Sequence, residues 1–565
     1  MDQDTGTASA DGLRSLARRD FVKVGAALAA GLALPRGILE VATQGTQGTQ
    51  QQLPPLGNGE PPALVFQAYP GGTGAYLERL ARERGREAFE RSRFVVEPWS
   101  GPVPQSEEEL AYLPAHRLAA LIAERKLSPV TLTEIYLERL RRLDPILLCA
   151  VTILEGPARE AAQQAESEIR AGHYRGPLHG LPWGLKDLFA TKGVRTTWGS
   201  KAHENQVFDF DSEIVVRLRE AGAILIAKLA TGLFAQGDNW YRGQTKNPWN
   251  PAQGSSGSSA GPASATAAGC VAFAIGTETQ GSIVSPAIRC GLSALRPTFG
   301  RVSRHGGMVL AWTMDKVGPI CRTVEDCAMV FSVIHGADEK DPATVTAPFQ
   351  YERNPDLGRY RIGYDERAPQ TFLDKLRELG AQLQPLGTKP NTAGLSSLAV
   401  ESAAAFDSYV ATLSPQFVDS VLTATGRGRG GRGAGLDSSG RGAGRGAPLP
   451  PADNSPLAAA ARFARGRTVT ALEFLQTQRR RLIVMQQMAD LLADLDMYVS
   501  GSGDVALTNQ TGHPAVVFPF AFSEGEHPQP VCTTIVGNLF QDDKILSVAN
   551  AYQRATSWHL RHPSL

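Results

Sequence analysis

The chain lacks three things whose absence narrows the field. It has six cysteines, at 149, 270, 290, 321, 327 and 532, but no CxxC pair and no Cys/His cluster at zinc-ligand spacing. That argues against zinc ribbons and dithiol redox motifs, and leaves the cysteines as small buried core residues. It lacks an excess of charge: 57 basic and 56 acidic side chains give a net charge of +1. No global electrostatic attraction to nucleic acid or to an anionic membrane follows from that balance. The N-terminal apolar run, Val24 to Leu34, is only eleven residues long, against the roughly 20 that a spanning helix needs. What is present is a 565-residue chain, 42% hydrophobic and 20% charged. That suffices for two to four ordinary domains, or for one large α/β domain with extensions.

The short apolar run follows a basic head, Ala17-Arg18-Arg19-Asp20-Phe21-Val22-Lys23. A basic head before a short apolar segment has the form of an export signal, and the paired arginines suggest the twin-arginine route. The competing reading is an amphipathic N-terminal helix. No small-x-small cleavage site follows, and no cysteine that would carry a lipid anchor. Residues 1–42 are therefore set apart as a signal segment, and the expected location is periplasmic or secreted. Residues 43–105 read as a linker and N-terminal extension, with Gln44 to Pro62 rich in Gln, Gly, Thr and Pro.

Helices are expected over Ala75 to Arg91, from Ser106 to Ala119, after a capping-box spacing at Thr131 to Glu134, and over Ala158 to Ala171. From Leu178 the texture becomes α/β: a helix over Glu213 to Glu220, strands at Ala223 to Leu229 and Val271 to Ile275, and a short small-residue helix at Ala263 to Ala268. This alternation argues for a mostly parallel sheet covered on both faces. A Gly/Ser/Pro/Asn loop fills Gly243 to Ser259. Gly426 to Gly446 holds ten glycines and five arginines in 21 residues, too few apolar groups to build a core. It reads as a disordered insertion rather than an RGG-type nucleic-acid contact. A second capping-box spacing, Thr470 to Glu473, opens a long helix to about Leu495.

Three segments carry chemistry. In Gly180-Leu181-Pro182-Trp183-Gly184-Leu185-Lys186-Asp187, a lysine sits in apolar surroundings. Burial strips hydration from an ammonium, so its neutral form becomes available as a base; a snorkelling head or pairing with Asp187 is the plainer alternative. In Gly254-Ser255-Ser256-Gly257-Ser258-Ser259-Ala260-Gly261, a Gly/Ser run leads into a helix, whereas such runs are ordinarily flexible linkers. In Gly276-Thr277-Glu278-Thr279-Gln280-Gly281-Ser282-Ile283, a serine follows a buried strand beside a glycine, where free backbone N–H groups are able to stabilise an oxyanion.

In this order the segments resemble the amidase signature family. Its pattern is a Lys-Asp after a Gly-x-Pro element, a Ser-Ser pair in a Gly/Ser loop, then a Gly-Ser-Ile turn. Ser258 and Ser282 stand 24 positions apart (282 − 258), the family's separation between bridging serine and nucleophile. Leu295-Arg296-Pro297-Thr298, Gly300-Arg301-Val302-Ser303, Asp315 to Pro319 and Thr508 to Pro514 resemble later family elements. The resemblance spans residues 106–565. It implies an α/β fold: one large domain with a twisted mixed β-sheet core under helices on both faces, interrupted by the insertion at 426–446. It also implies a Ser-Ser-Lys triad. Lys186 takes a proton from Ser258, whose preceding peptide bond is cis in the family, and Ser258 takes one from Ser282. Ser282 attacks an amide carbonyl to give an acyl-serine, and the N–H groups of Thr279, Gln280, Gly281 and Ser282 form the oxyanion hole. The implied partner is a small-molecule amide. No metal, organic cofactor, nucleic acid or membrane span is expected.

The sequence departs from the family at Glu278, Gln280-Gly281 and Val284. The family's usual Asp is Glu278 and its usual Arg is Val284, so an Asp–Arg pair bracing the turn is absent as written. Three other readings remain. One is the glutaminase-type subunit of a tRNA-dependent amidotransferase, which shares these motifs but works with partner chains, unlike an exported protein. Another is an α/β-hydrolase-like esterase using Ser259 in Gly257-Ser258-Ser259-Ala260-Gly261 with His513 as base; that motif requires an apolar strand before it, which Asn247 to Pro251 is not. The last is an inactive binding protein. Gly276 to Ser282 lacks the lysine of a phosphate-binding loop.

Overall fold

The structure, a computed structural model, describes residues 63–410 and 466–565 apart from Ser92, Ser502, Glu526 and His527. The signal segment at 1–42, the linker up to residue 62 and the Gly/Arg-rich insertion at 426–446 lie outside the described residues. Fifteen strands are present among those described. They are β1 Ala150–Ile153, β2 Pro182–Lys186, β3 Ile224–Leu229, β4 Asn239–Trp240, β5 Gly243–Gln244, β6 Lys246–Asn247, β7 Asn250–Gly254, β8 Phe273–Glu278, β9 Ser293–Arg296, β10 Lys316–Cys321, β11 Arg361–Tyr364, β12 Gln382–Pro385, β13 Met497–Ser500, β14 Ala515–Phe522 and β15 Pro530–Gly537. Eleven of them form one sheet in the order β1-β3-β2-β8-β10-β9-β14-β15-β13-β11-β12, while β4–β5 and β6–β7 are short separate ribbons.

The sheet is mixed, as the resemblance implies, and not mostly parallel as the strand–helix alternation suggests. The pairs β2–β3, β2–β8, β11–β12 and β11–β13 are parallel; the other six are antiparallel. The alternation reading misses the direct β14-to-β15 hairpin and the β9-to-β10 return, which need no crossover helix and so pair antiparallel. The central strands β2 and β10 are buried along their whole length, as strands covered on both faces must be.

Helix positions follow local chemistry. The helix Pro129–Leu147 begins at Ser128, whose side chain accepts from the N–H groups of Val130 and Thr131. The Thr131–Glu134 spacing is therefore internal: Pro129 at the first helical position supplies the pre-set φ that starts the helix three residues earlier. The capping box at Thr470 does form and opens the helix Ala471–Leu491. A further box at Ser106 opens Glu107–Tyr112, and a second helix, Ala115–Ala123, follows. The helix Ala260–Ala267 is built of small residues and is buried throughout. It starts beside the C-terminal ends of the parallel strands β3, β2 and β8, where Gly261 N–H donates to the Ala230 carbonyl, the position at which open α/β sheets leave a crevice. All six cysteines are free and buried.

Candidate active site

Lys186 is the last residue of β2 and is fully buried. Its Nζ lies 2.8 Å from Ser258 Oγ, 3.0 Å from Ser259 Oγ, 2.8 Å from Thr277 Oγ1 and 3.3 Å from the Thr277 carbonyl. Burial pushes the amine down to about 7, against the opposing pull of the Asp315 and Glu278 carboxylates. The neighbouring Asp187 does not pair with it. Asp187 Oδ1 forms an ion pair with the buried Lys228 at 3.0 Å, and its Oδ2 accepts from the N–H and hydroxyl of Thr197. Two buried lysines thus stand side by side. Lys228 has a carboxylate at contact distance; Lys186 has hydroxyls and a carbonyl, which stabilise an ammonium far less.

The Gly/Ser run is not a flexible linker. Gly257–Ser258 is a cis peptide bond, as the resemblance implies. A Cβ on Gly257 would stand 2.0 Å from the Gly237 carbonyl oxygen, so only glycine fits there. Ser256 N–H donates to Asp238 Oδ2 at 3.0 Å, holding the run against a neighbouring loop. Ser258 and Ser259 are both fully buried. Ser259 also bonds the Thr277 carbonyl at 3.1 Å and accepts from Thr277 N–H at 3.2 Å.

Ser282 comes to the same place on the turn after β8. Its carbonyl accepts from Ser259 N–H at 3.1 Å, and the residue is half-buried. Its hydroxyl makes no hydrogen bond among the described residues, so the structure joins Lys186 to Ser258 but not Ser258 to Ser282. Gly281 adopts φ +103°, a conformation that a side chain would strain. The N–H groups of Thr279, Gln280, Gly281 and Ser282 have no acceptor among the described residues, whereas Ile283 and Val284 N–H donate to Glu278 Oε2 at 2.8 and 2.9 Å.

The brace missing from the sequence pattern is therefore present in another form. Glu278, fully buried, holds the turn through those two N–H groups. Its Oε1 accepts from Arg296 Nη1 at 3.0 Å and from Asn509 Nδ2 at 2.8 Å. Burial alone would raise its carboxyl, but Arg296, Asn509 and the two N–H groups together hold it below the ordinary glutamate range. Sequence reasoning missed Arg296 because it lies on β9, not on the turn; the one available signal was its place in the Leu295-Arg296-Pro297-Thr298 segment.

The alternative pair is not assembled. His513 is fully buried, its Nδ1 2.9 Å from Thr511 Oγ1, and burial pushes it down to about 3. It makes no hydrogen bond to Ser259 among the described residues. The segment before the Gly/Ser run is β7, an exposed polar ribbon strand. No group of three or more His, Cys, Asp or Glu side chains is placed to hold a metal ion among the described residues, and no described helix is long and apolar enough to cross a membrane. A cavity of about 740 Å3 lies between residues 64–74 and Phe299, Arg304, Trp312 and Asp341. It is not lined by Lys186, Ser258 or Ser282, but it includes Val309 and Thr313 from the loop that precedes β10.

A mixed sheet with a buried lysine, a Ser-Ser pair and a glycine-flanked serine at one edge is the architecture of an amide-cleaving hydrolase. The sequence model described as Amidase matches residues 131–503, and the chain belongs to that family. It is 32% identical over 493 residues to a glutamyl-tRNA(Gln) amidotransferase subunit of Methylococcus capsulatus, covering 79% of this chain and 98% of that one. Its fold is similar to that of native peptide amidase from Stenotrophomonas maltophilia, with a TM-score of 0.66 and 28% identity over 80% of this chain and 98% of the other. The corresponding glutamyl-tRNA(Gln) amidotransferase subunit from Thermotoga maritima, 24% identical, shares the fold with a TM-score of 0.59, covering 79% and 95% of the two chains.

Proposed function

We propose that the protein hydrolyses a linear carboxylic amide through an acyl-Ser282 intermediate, with Ser258 and Lys186 relaying the proton. The observation that carries this reading is the 2.8 Å contact between Ser258 Oγ and a fully buried Lys186 Nζ that has no ion-pair partner among the described residues. With the amine neutral, Ser258 donates its proton to the Nζ lone pair and takes one from Ser282. The missing Ser258–Ser282 bond is compatible with that path, since catalytic hydrogen bonds often tighten only around substrate. The tetrahedral oxyanion meets the free N–H groups of residues 279–282, each such donor being worth about 10²–10³ in rate. The proton then returns through Ser258 to the leaving amine, and water hydrolyses the ester. Hydrolysis of a panel of amides differing in acyl length and leaving amine, run beside Ser282→Ala, tests this. Turnover by the parent and none by the variant is expected; equal rates would refute it.

One observation favours a second reading. The match to the Methylococcus protein extends over 98% of its length, which supports a glutaminase-type subunit that acts with partner chains in a tRNA-dependent amidotransferase. The isolated chain should then cleave glutamine poorly and small amides not at all. Against this stands the proposed export of the protein, supported by Arg18-Arg19 ahead of Val24 to Leu34. A reporter fused to residues 1–42 should leave the cytoplasm, and Arg18→Lys with Arg19→Lys should retain it there. A reporter that stays in the cytoplasm without the substitutions would reject export.

A further inference from the structure

One buried carboxylate near Lys186 has no part in the relay as described. Asp315 stands one residue before β10, in which Lys316 pairs with Glu278 and Val317 with Thr277. Antiparallel partners share a face and faces alternate along a strand. Asp315 therefore leaves the chain on the face of Val317 and Thr277, and it is the Thr277 hydroxyl on that face that meets Lys186 Nζ. Asp315 is buried, and Leu310 N–H donates to its Oδ2 at 2.7 Å. Its Oδ1 is buried with no hydrogen-bond partner. Asp315 makes no ion pair among the described residues.

The cations around it are committed elsewhere. Lys316 sends its amine to the Met314 carbonyl, and burial pushes it well below the ordinary lysine range. Arg296 is held by Glu278 and by the His513 carbonyl. Arg481 is held by Thr313 and by the Gln510 carbonyl, and Lys228 by Asp187. The carboxylates that act on Lys186 are Glu278, already paired with Arg296, and Asp315. An idle buried carboxylate oxygen is costly; Asp315 acts both on Lys316, whose amine is turned to the Met314 carbonyl, and on Lys186, which answers it once it has gained a proton.

We propose that Asp315 is a positioning residue of the proton relay, its carboxylate balancing the ammonium that forms on Lys186 when Ser258 passes on the proton of Ser282. This rests on the Ser282–Ser258–Lys186 reading. The proton travels from Ser282 Oγ through Ser258 Oγ to Lys186 Nζ and back to the leaving amine, and none is exchanged with the Asp315 carboxylate. Neutralising Asp315 destabilises the ammonium. The acid limb of the rate profile then moves to lower pH while the plateau rate falls. A merely structural role would lower the rate without moving the limb.

The test is the pH dependence of kcat and kcat/KM for the full chain, Asp315→Asn, Asp315→Ser, Asp315→Glu and Lys186→Met, on the best amide of the panel. The neutral variants should lose about tenfold or more at the plateau and shift the limb down by about half to one pH unit; Asp315→Glu should restore both. A limb that stays in place in whichever neutral variant folds, or an unchanged plateau, would overturn the proposal. Should Lys186→Met retain activity, the relay itself is wrong and Asp315 loses its place with it, a result distinct from an unmoved limb in a lysine-dependent enzyme.

Discussion

Replacing Glu278 by Gln probes the brace that holds the turn carrying Ser282. The substitution keeps the shape but removes the charge that faces Arg296 at 3.0 Å, with both side chains fully buried. It also replaces one acceptor oxygen with an NH2 donor that faces other donors, since Ile283 N–H, Val284 N–H and Asn509 Nδ2 all point at the carboxylate. Breaking a buried pair from one side strands the other charge, at about 3–5 kcal/mol. A loss of that size should appear as a lower urea midpoint at unchanged m-value. Arg296→Met added to Glu278→Gln removes the stranded charge and should recover much of the stability. It should not recover rate: a turn displaced by about 1 Å costs on the order of 10²-fold in kcat. The pH dependence has a fixed sign. Glu278 is held below the usual glutamate range in the folded state, so its contribution is present above about pH 4.5 and is lost as pH falls through the lower folded value. A Glu278→Gln variant within about 0.5 kcal/mol of the parent, with kcat unchanged, would refute the brace.

Other outcomes follow from the same geometry. The parent rate should fall tenfold per unit as pH drops below about 7, the value to which burial brings Lys186, because the neutral amine is the proposed base; a flat profile from pH 8 to 5 would contradict this. The amine's folded value lies below its unfolded one, so holding Lys186 costs stability increasingly as pH falls from 10.5 toward 7. Lys186→Met should accordingly be inactive yet more stable at pH 7, by urea titration. Lys228→Met leaves Asp187 buried and unpaired and should cost about 3–5 kcal/mol without moving the acid limb. The six buried thiols should resist a disulfide reagent in the native protein and titrate fully in denaturant.

Much of the site was legible in the sequence because it is local. Lys186 in an apolar stretch, Ser258 and Ser259 before a small-residue helix, and Ser282 after a buried strand are each read from a few neighbouring residues, and a 24-residue spacing ties Ser258 to Ser282. What was not legible is what the sheet brings together. Arg296 reaches Glu278 from β9, Asn509 comes from a helix more than 200 positions away, and Lys228 takes Asp187 from the adjacent strand β3. No spacing rule marks such contacts. The mixed sheet follows from the family resemblance, but strand–helix alternation alone points to a mostly parallel one, because it reports the elements, whereas hairpins such as β14–β15 decide which strands run against each other. The helix start at Ser128 was missed because Thr131–Glu134 offered a matching capping spacing inside the same helix.

In the proposed mechanism Ser282 carries the acyl group. A fluorophosphonate probe followed by tandem mass spectrometry of the adducted peptide tests it directly, because Ser258, Ser259 and Ser282 are then distinguished by fragment mass. One adduct is expected, on Ser282, formed in the full chain and abolished by Lys186→Met with the fold retained. An adduct on Ser259, or none on a folded and otherwise intact chain, would contradict it.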